Sequence, residues 1–220
     1  NFLGLDNAQV RLTLDYSPFD WLNVGLGHTG VRKTYDGFLK YRLLRQSKGK
    51  VNMPVSVTGF SSLYYSALRN HEDLPTNTSD RFSYVNELII ARKFSQNFSM
   101  ELVPTVVHFN VVETREDNNS IFALGVAGRY KITRMHAITL EYIHQFNGNK
   151  YPDAETNKMV PYNNALSVGF DIETGGHVFQ LFITNSRGVA EPYTFAQTTG
   201  SWLDGDLHFG FNISRVFTIN

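Results

Sequence analysis

Twelve charged residues of both signs recur among large apolar side chains: Arg11, Asp15, Asp36, Lys40, Arg42, Glu87, Glu101, Arg129, Lys131, Glu141, Asp171 and Glu173. Read with period two, they share one face of a series of strands and form a lumen charge network. Such a row has two uses. Paired, it fills an interior, because buried charges must find partners. Unpaired, it lines a conduit in which rings of charge set selectivity. The other reactive candidates are sparse. His28, His108 and His144 share the opposite parity, but "HFN" offers Asn110 and no serine two residues after His108, so no nucleophile is paired with a base. Amphipathic side chains at a lipid–water boundary account for them. Asp204 and Asp206 in "WLDGD" are too few for a Ca²⁺ site and suit a turn. Asn97-Phe98-Ser99 and Asn212-Ile213-Ser214 match the glycosylation pattern but overlap strands. No catalytic residue, metal site or cofactor is expected.

The elements that carry these charges are strands. Segments 8–16, 21–30, 34–46, 54–66, 81–93, 98–112, 120–131, 136–146, 163–174, 177–186 and 206–219 read as β, and no long window has helical periodicity. Most run to about ten residues, the length a tilted membrane strand requires, whereas globular strands average about five or six. The stretch "FDIETGGHVFQLFITNS" fixes one hairpin. Gly175–Gly176 suit a type I′ turn, with Thr174 opposite His177. Glu173 then meets Val178, Asp171 meets Gln180 and Phe170 meets Leu181, so the large apolar residues fall on one face and the acids on the other. The same division recurs in Val10, Leu12 and Leu14 against Arg11, Thr13 and Asp15, and in Phe209, Phe211 and Ile213 against His208, Gly210 and Asn212. The polar face mixes charges with Gly, Ala and Ser, which suits a crowded barrel interior better than a solvent face.

Short links ("SPFD", "SQN", "ITRM", "GG") alternate with long ones, the longest being "NGNKYPDAETNKMVPY" and "RGVAEPYTFAQTTGSWLDG". That rhythm matches tight periplasmic turns at one barrel end and extracellular loops at the other. Tyr16, Phe19, Trp21 and Tyr130 gather near the short turns, as an interfacial girdle would. The chain has 220 residues, 20 basic and 20 acidic, and no cysteine. The balance gives no basic excess for nucleic acid, and there is no thiol framework. The reading is a single all-β domain over 1–220, a transmembrane antiparallel up-and-down β-barrel with eleven visible strands. Phe38, Phe60, Arg42 and Arg129 on the inner face predict a packed or narrow lumen. Eleven strands leave the first and last parallel, so a strand upstream of residue 1 is expected to make twelve.

The stretches "YDGFLKYRLLRQS", "LIIARKFS", "FALGVAGRYKIT", "SVGFDIETGGHVFQLFITNS" and "DLHFGFNISRVFTI" resemble an uncharacterised Bacteroidota outer-membrane β-barrel family, a domain of unknown function. The resemblance spans nearly the whole chain and implies a barrel in the bacterial outer membrane, in contact with its lipids. It implies no activity, ligand or catalytic residue. The expected function is a structural or accessory barrel with other envelope proteins as partners. A small-solute channel is the alternative and an outer-membrane lipid hydrolase a minor one.

Overall fold

The computed structural model describes residues 8–49, 51–68, 77–153 and 157–217. Its strands are β1 (Arg11–Phe19), β2 (Leu22–Thr29), β3 (Thr34–Leu44), β4 (Ser56–Ser66), β5 (Phe82–Lys93), β6 (Phe98–Phe109), β7 (Ser120–Lys131), β8 (His136–Gln145), β9 (Lys150–Pro152), β10 (Met159–Pro161), β11 (Ala165–Glu173), β12 (His177–Thr184) and β13 (His208–Arg215). Among the described residues one α-helix, α1 (Glu191–Ala196), lies between β12 and β13. Eleven strands form a single sheet in the order β1-β2-β3-β4-β5-β6-β7-β8-β11-β12-β13, and β9 and β10 make a separate hairpin. Every neighbouring pair is antiparallel.

The alternating pattern explains the sheet's two faces. Leu12, Leu26, Leu39, Phe122, Leu140, Leu181 and Phe211 point outward and stay exposed. Phe38, Phe60, Tyr64, Val85, Val107, Ile121, Ala123, Ile143 and Ala165 point inward and form one buried cluster with Ala190, Phe195 and Ala196 of the α1 segment. A six-residue helix that bonds to β1, β3 and β4 and packs on β5 to β8 requires the sheet to curl around it. The inner face is therefore a lumen and the outer face an apolar wall, as in membrane barrels. A soluble sheet would hide that face.

The links sort by end. Asp20–Trp21, Phe94–Asn97, Ile132–Met135 and Thr174–Gly176, with the longer 45–55 link, lie at the short-turn end. The long links to β5, β7, β11 and β13 lie at the other, with the tight Gly30–Lys33 turn. In that turn Arg32 and Lys33 both take left-handed backbone (φ 49° and 48°), an uncommon conformation for non-glycine residues.

Three sequence expectations change in detail. The first hairpin does not turn at "SPFD": β1 continues to Phe19 with a register shift between Tyr16 and Phe19. Pro18 has no N–H to give a ladder, and it falls within that register shift, where no ladder bond is required of it. Thr174 donates its N–H to His177 O (2.9 Å), giving the expected register throughout β11–β12. Neither Gly175 nor Gly176 takes a positive φ, so the turn is not type I′. The last strand, expected over 206–219, is His208–Arg215. Its residues 218–219, like a strand ahead of residue 1, fall outside the described residues. Among the described residues the sheet does not close, and β1 and β13 are its two edges.

Candidate functional site in the barrel interior

At the long-loop end the chain between β12 and β13 folds back inside the wall. Thr184, Asn185 and Ser186 are buried where β12 ends. Asn185 Nδ2 donates to Gly200 O (2.8 Å) and Asn164 O (3.0 Å), and its Oδ1 accepts from Leu166 N (2.8 Å). Thr198 O accepts from Asn163 N (2.7 Å), and Trp202 Nε1 donates to Leu166 O (2.8 Å). Both ends of the segment are thus tied to β11. Between them Pro192 sits in the first turn of α1, where its missing N–H costs nothing. Pro192, Phe195 and Ala196 are buried against the inner wall.

A charged contact holds the helix. Arg11 on β1 donates from Nη1 to Glu191 Oε2 (2.7 Å) and from Nη2 to Asp36 Oδ2 (2.8 Å). Tyr64 Oη donates to the same Glu191 oxygen (2.5 Å). The Arg11 and Asp36 side chains are 14% and 0% exposed, so their pairing is what makes burying them tolerable. Gly27 leaves the room: a Cβ there would stand 2.5 Å from an Asp36 oxygen. Thr34 Oγ1 and Tyr193 Oη share a hydrogen bond (2.7 Å), and the Arg32 guanidinium stacks 5.7 Å from the Tyr193 ring. Above the wall, Tyr151 and Tyr162 of the β9–β10 hairpin stack at 4.8 Å, and Tyr151 Oη donates to Thr199 O (3.2 Å). Burial pushes the Tyr162 phenol up to about 12, so the stack stays neutral.

The short-turn half holds a second cluster. Arg129 donates to Asp171 (2.8 Å) and Glu173 (2.6 Å), and Lys131 lies 3.4 Å from Glu173. Gln180 Nε2 donates to Asp171 Oδ1 (3.1 Å). Between the clusters the Lys40 ammonium sits 5.8 and 5.7 Å from the Phe38 and Phe60 rings. Glu87, Glu101 and Glu141 share this inner parity and make no ion pair among the described residues. Asp15 accepts from Asn23 Nδ2 (2.7 Å), and Arg42 makes no ion pair among the described residues. The twelve residues read from the sequence are therefore divided between two clusters and a set without ion pairs. Sequence reasoning missed Glu191, Tyr64 and Tyr193. The link "RGVAEPYTFAQTTG" carried a signal in Pro192 after an acid, followed by Phe195 and Ala196 in an otherwise polar loop.

On the outer wall His28, His108 and His144 stand near the long-loop end. His28 Nδ1 contacts Thr34 O (3.1 Å), and His144 Nδ1 contacts Asn164 Nδ2 (3.3 Å). The sequence offered His108 no serine, yet the β6–β7 register sets Ser120 opposite it, with Oγ 2.8 Å from Nδ1. Cross-strand neighbours are invisible to local spacing. Asp206 Oδ2 accepts from Ser201 N (3.3 Å) in a turn, and no group of three or more metal-ligating side chains occurs among the described residues. Phe19 stacks on Trp21 (5.5 Å) at the short-turn rim, facing outward.

An antiparallel sheet curled around a charged lumen, with an apolar outer wall, defines the class of transmembrane β-barrels. A solved structure titled "NanC porin structure in rhombohedral crystal form" shares this fold, with a TM-score of 0.62 over 95% of this chain and 93% of that one, at 8% identity. The chain belongs to the family described as the membrane bound beta barrel domain DUF5777, whose profile matches residues 1–217. No curated protein matches it.

Proposed function

We propose that the protein is an outer-membrane barrel whose lumen is closed at the long-loop end, and that it serves as a structural or accessory subunit of an envelope complex. The observation that carries this reading is α1, seated inside the wall and held through Glu191 by Arg11 and Tyr64. A segment fixed by charge-assisted hydrogen bonds and a buried aromatic ring obstructs solute passage. The reading predicts that liposomes containing the refolded protein do not swell in sugars. It also predicts that the barrel migrates with other envelope proteins when native membranes are solubilised gently. Swelling in sugars, with migration as a lone barrel, overturns it.

A small-solute channel is the second reading. It is favoured by Glu87, Glu101 and Glu141, which lie in the lumen without ion pairs among the described residues. Such a conduit would prefer cations, and a reversal potential in a salt gradient measures that preference. The reading assigns no catalysis. Lipid release that Ser120→Ala abolishes would contradict this.

A further inference from the structure

Gly128 opens a recess in the outer wall. The register sets Arg92, Met100, Gly128 and Leu140 in one outward-facing row across β5, β6, β7 and β8. The next row toward the short-turn end is Phe98, Tyr130 and Ile138, and the next toward the middle of the wall is Leu102, Val126 and Tyr142. Large side chains thus surround a position that has none, leaving a recess of about 450 Å³. Gly59, also outward, shows the contrast. A Cβ there would stand 2.3 Å from the Tyr41 ring, which lies over it. At Gly128 the nearest atom to such a Cβ would be Met100 Cγ at 3.9 Å, so no side chain among the described residues covers the site. Wall atoms around an unfilled recess forfeit dispersion contacts. On a wall that faces lipid, an acyl chain is what can restore them.

A cation marks the rim of this recess. Of the Lys, Arg, Asp and Glu residues on β5 to β8, Arg92 alone has outward parity, and it makes no ion pair among the described residues. Its guanidinium carbon lies 5.0 Å from the centre of the Phe94 ring, so the side chain bends toward the short-turn end, where β5 stops. Phe94 stacks on Phe98 (5.7 Å), and Phe98 lines the recess. A charge on a lipid-facing wall calls for a partner. We propose that the recess seats one acyl chain of an anionic phospholipid from the leaflet at the short-turn end, with the lipid phosphate on Arg92. The polarity agrees: the head group meets the cation at the rim, and the chain runs inward from Phe98 and Tyr130 past Gly128. Tyr130 to Val126 offers it about 14 Å of wall at roughly 3.4 Å per residue. The outward face of β5 to β8 has no carboxylate to receive the ammonium of a zwitterionic head group. A lipid with net negative charge is therefore favoured. The site lies outside the barrel and stands whether or not the lumen conducts.

The test refolds the whole protein in liposomes of equal parts dioleoyl phosphatidylglycerol and dioleoyl phosphatidylethanolamine. The barrel is extracted into mild detergent and weighed by native mass spectrometry. The parent is expected to carry one phospholipid, with phosphatidylglycerol favoured about fivefold, as one basic residue at an anionic surface is worth. Gly128→Leu fills the recess from a Cβ in ordinary contact distance of Met100, and should emerge without lipid. Arg92→Gln should keep a lipid but lose the preference. Heat-modifiable migration reports folding, and Gly128→Val replaces the leucine variant should that one fail to fold. A Gly128→Leu barrel carrying as much lipid as the parent would overturn the proposal, as would an Arg92→Gln barrel that keeps the preference or a lipid-free parent. A parent dimer that Gly128→Leu splits would give the recess to a second copy. A lipid-bearing Gly128→Leu barrel that no longer migrates with other envelope proteins would give it to a protein partner.

Discussion

Arg11 joins two carboxylates from distant parts of the chain, Asp36 on β3 and Glu191 on α1. Arg11→Met leaves both without their cation. Breaking a buried ion pair from one side costs about 3–5 kcal/mol, and a fall of that size is expected in the urea unfolding free energy of the barrel in liposomes. Glu191→Gln keeps the shape but weakens charge-assisted bonds, each worth about 1.5–3 kcal/mol, so its fall should be smaller. An Arg11→Met variant as stable as the parent would show that the contact is incidental. Half of this contact was legible in the sequence. Arg11 and Asp36 sit on strands whose period of two assigns them to one face. Glu191 sits in a link without alternation, and nothing local reveals that a loop folds inward rather than outward.

At the scale of elements, the β11–β12 hairpin separates the two solvents. Leu181 faces outward, and Gln180 faces Asp171 across the ladder. Leu181→Arg is expected to lower folding yield in liposomes, since arginine on the lipid face costs roughly 2–4 kcal/mol near the midplane. Gln180→Arg gains a carboxylate partner and should fold like the parent; equal yields would place the parity wrongly. Besides its polar contacts, helix α1 packs one large ring against the wall. Phe195 packs near Gly125, where a Cβ would stand 3.7 Å from it. Phe195→Ala should destabilise by about 3–5 kcal/mol, or, if the segment loosens without unfolding the barrel, expose the 187–207 link to protease. A variant with unchanged stability and an uncut link would show that the ring does not anchor the helix. Register was legible here because a one-residue slip exchanges the faces of Ile172, Phe170, Asp171 and Glu173 together. Turn type was not, because the same register is reached with Gly175 and Gly176 outside the left-handed region.

At the scale of the molecule, strand length, alternation and link rhythm carried the barrel, since each reports which solvent a residue meets. The lumen was harder to read. Its filling comes from the segment between β12 and β13, whose contacts span most of the wall and leave no periodic trace. The central claim is that this segment blocks the pore. Single-channel conductance in planar bilayers tests it most directly, with the parent compared to a variant in which residues 187–207 are replaced by a short Gly-Ser link. The parent should stay closed, and the variant, shown folded by heat-modifiable migration, should conduct steadily. A parent that conducts as well as the variant, or a variant that stays silent, would contradict the account.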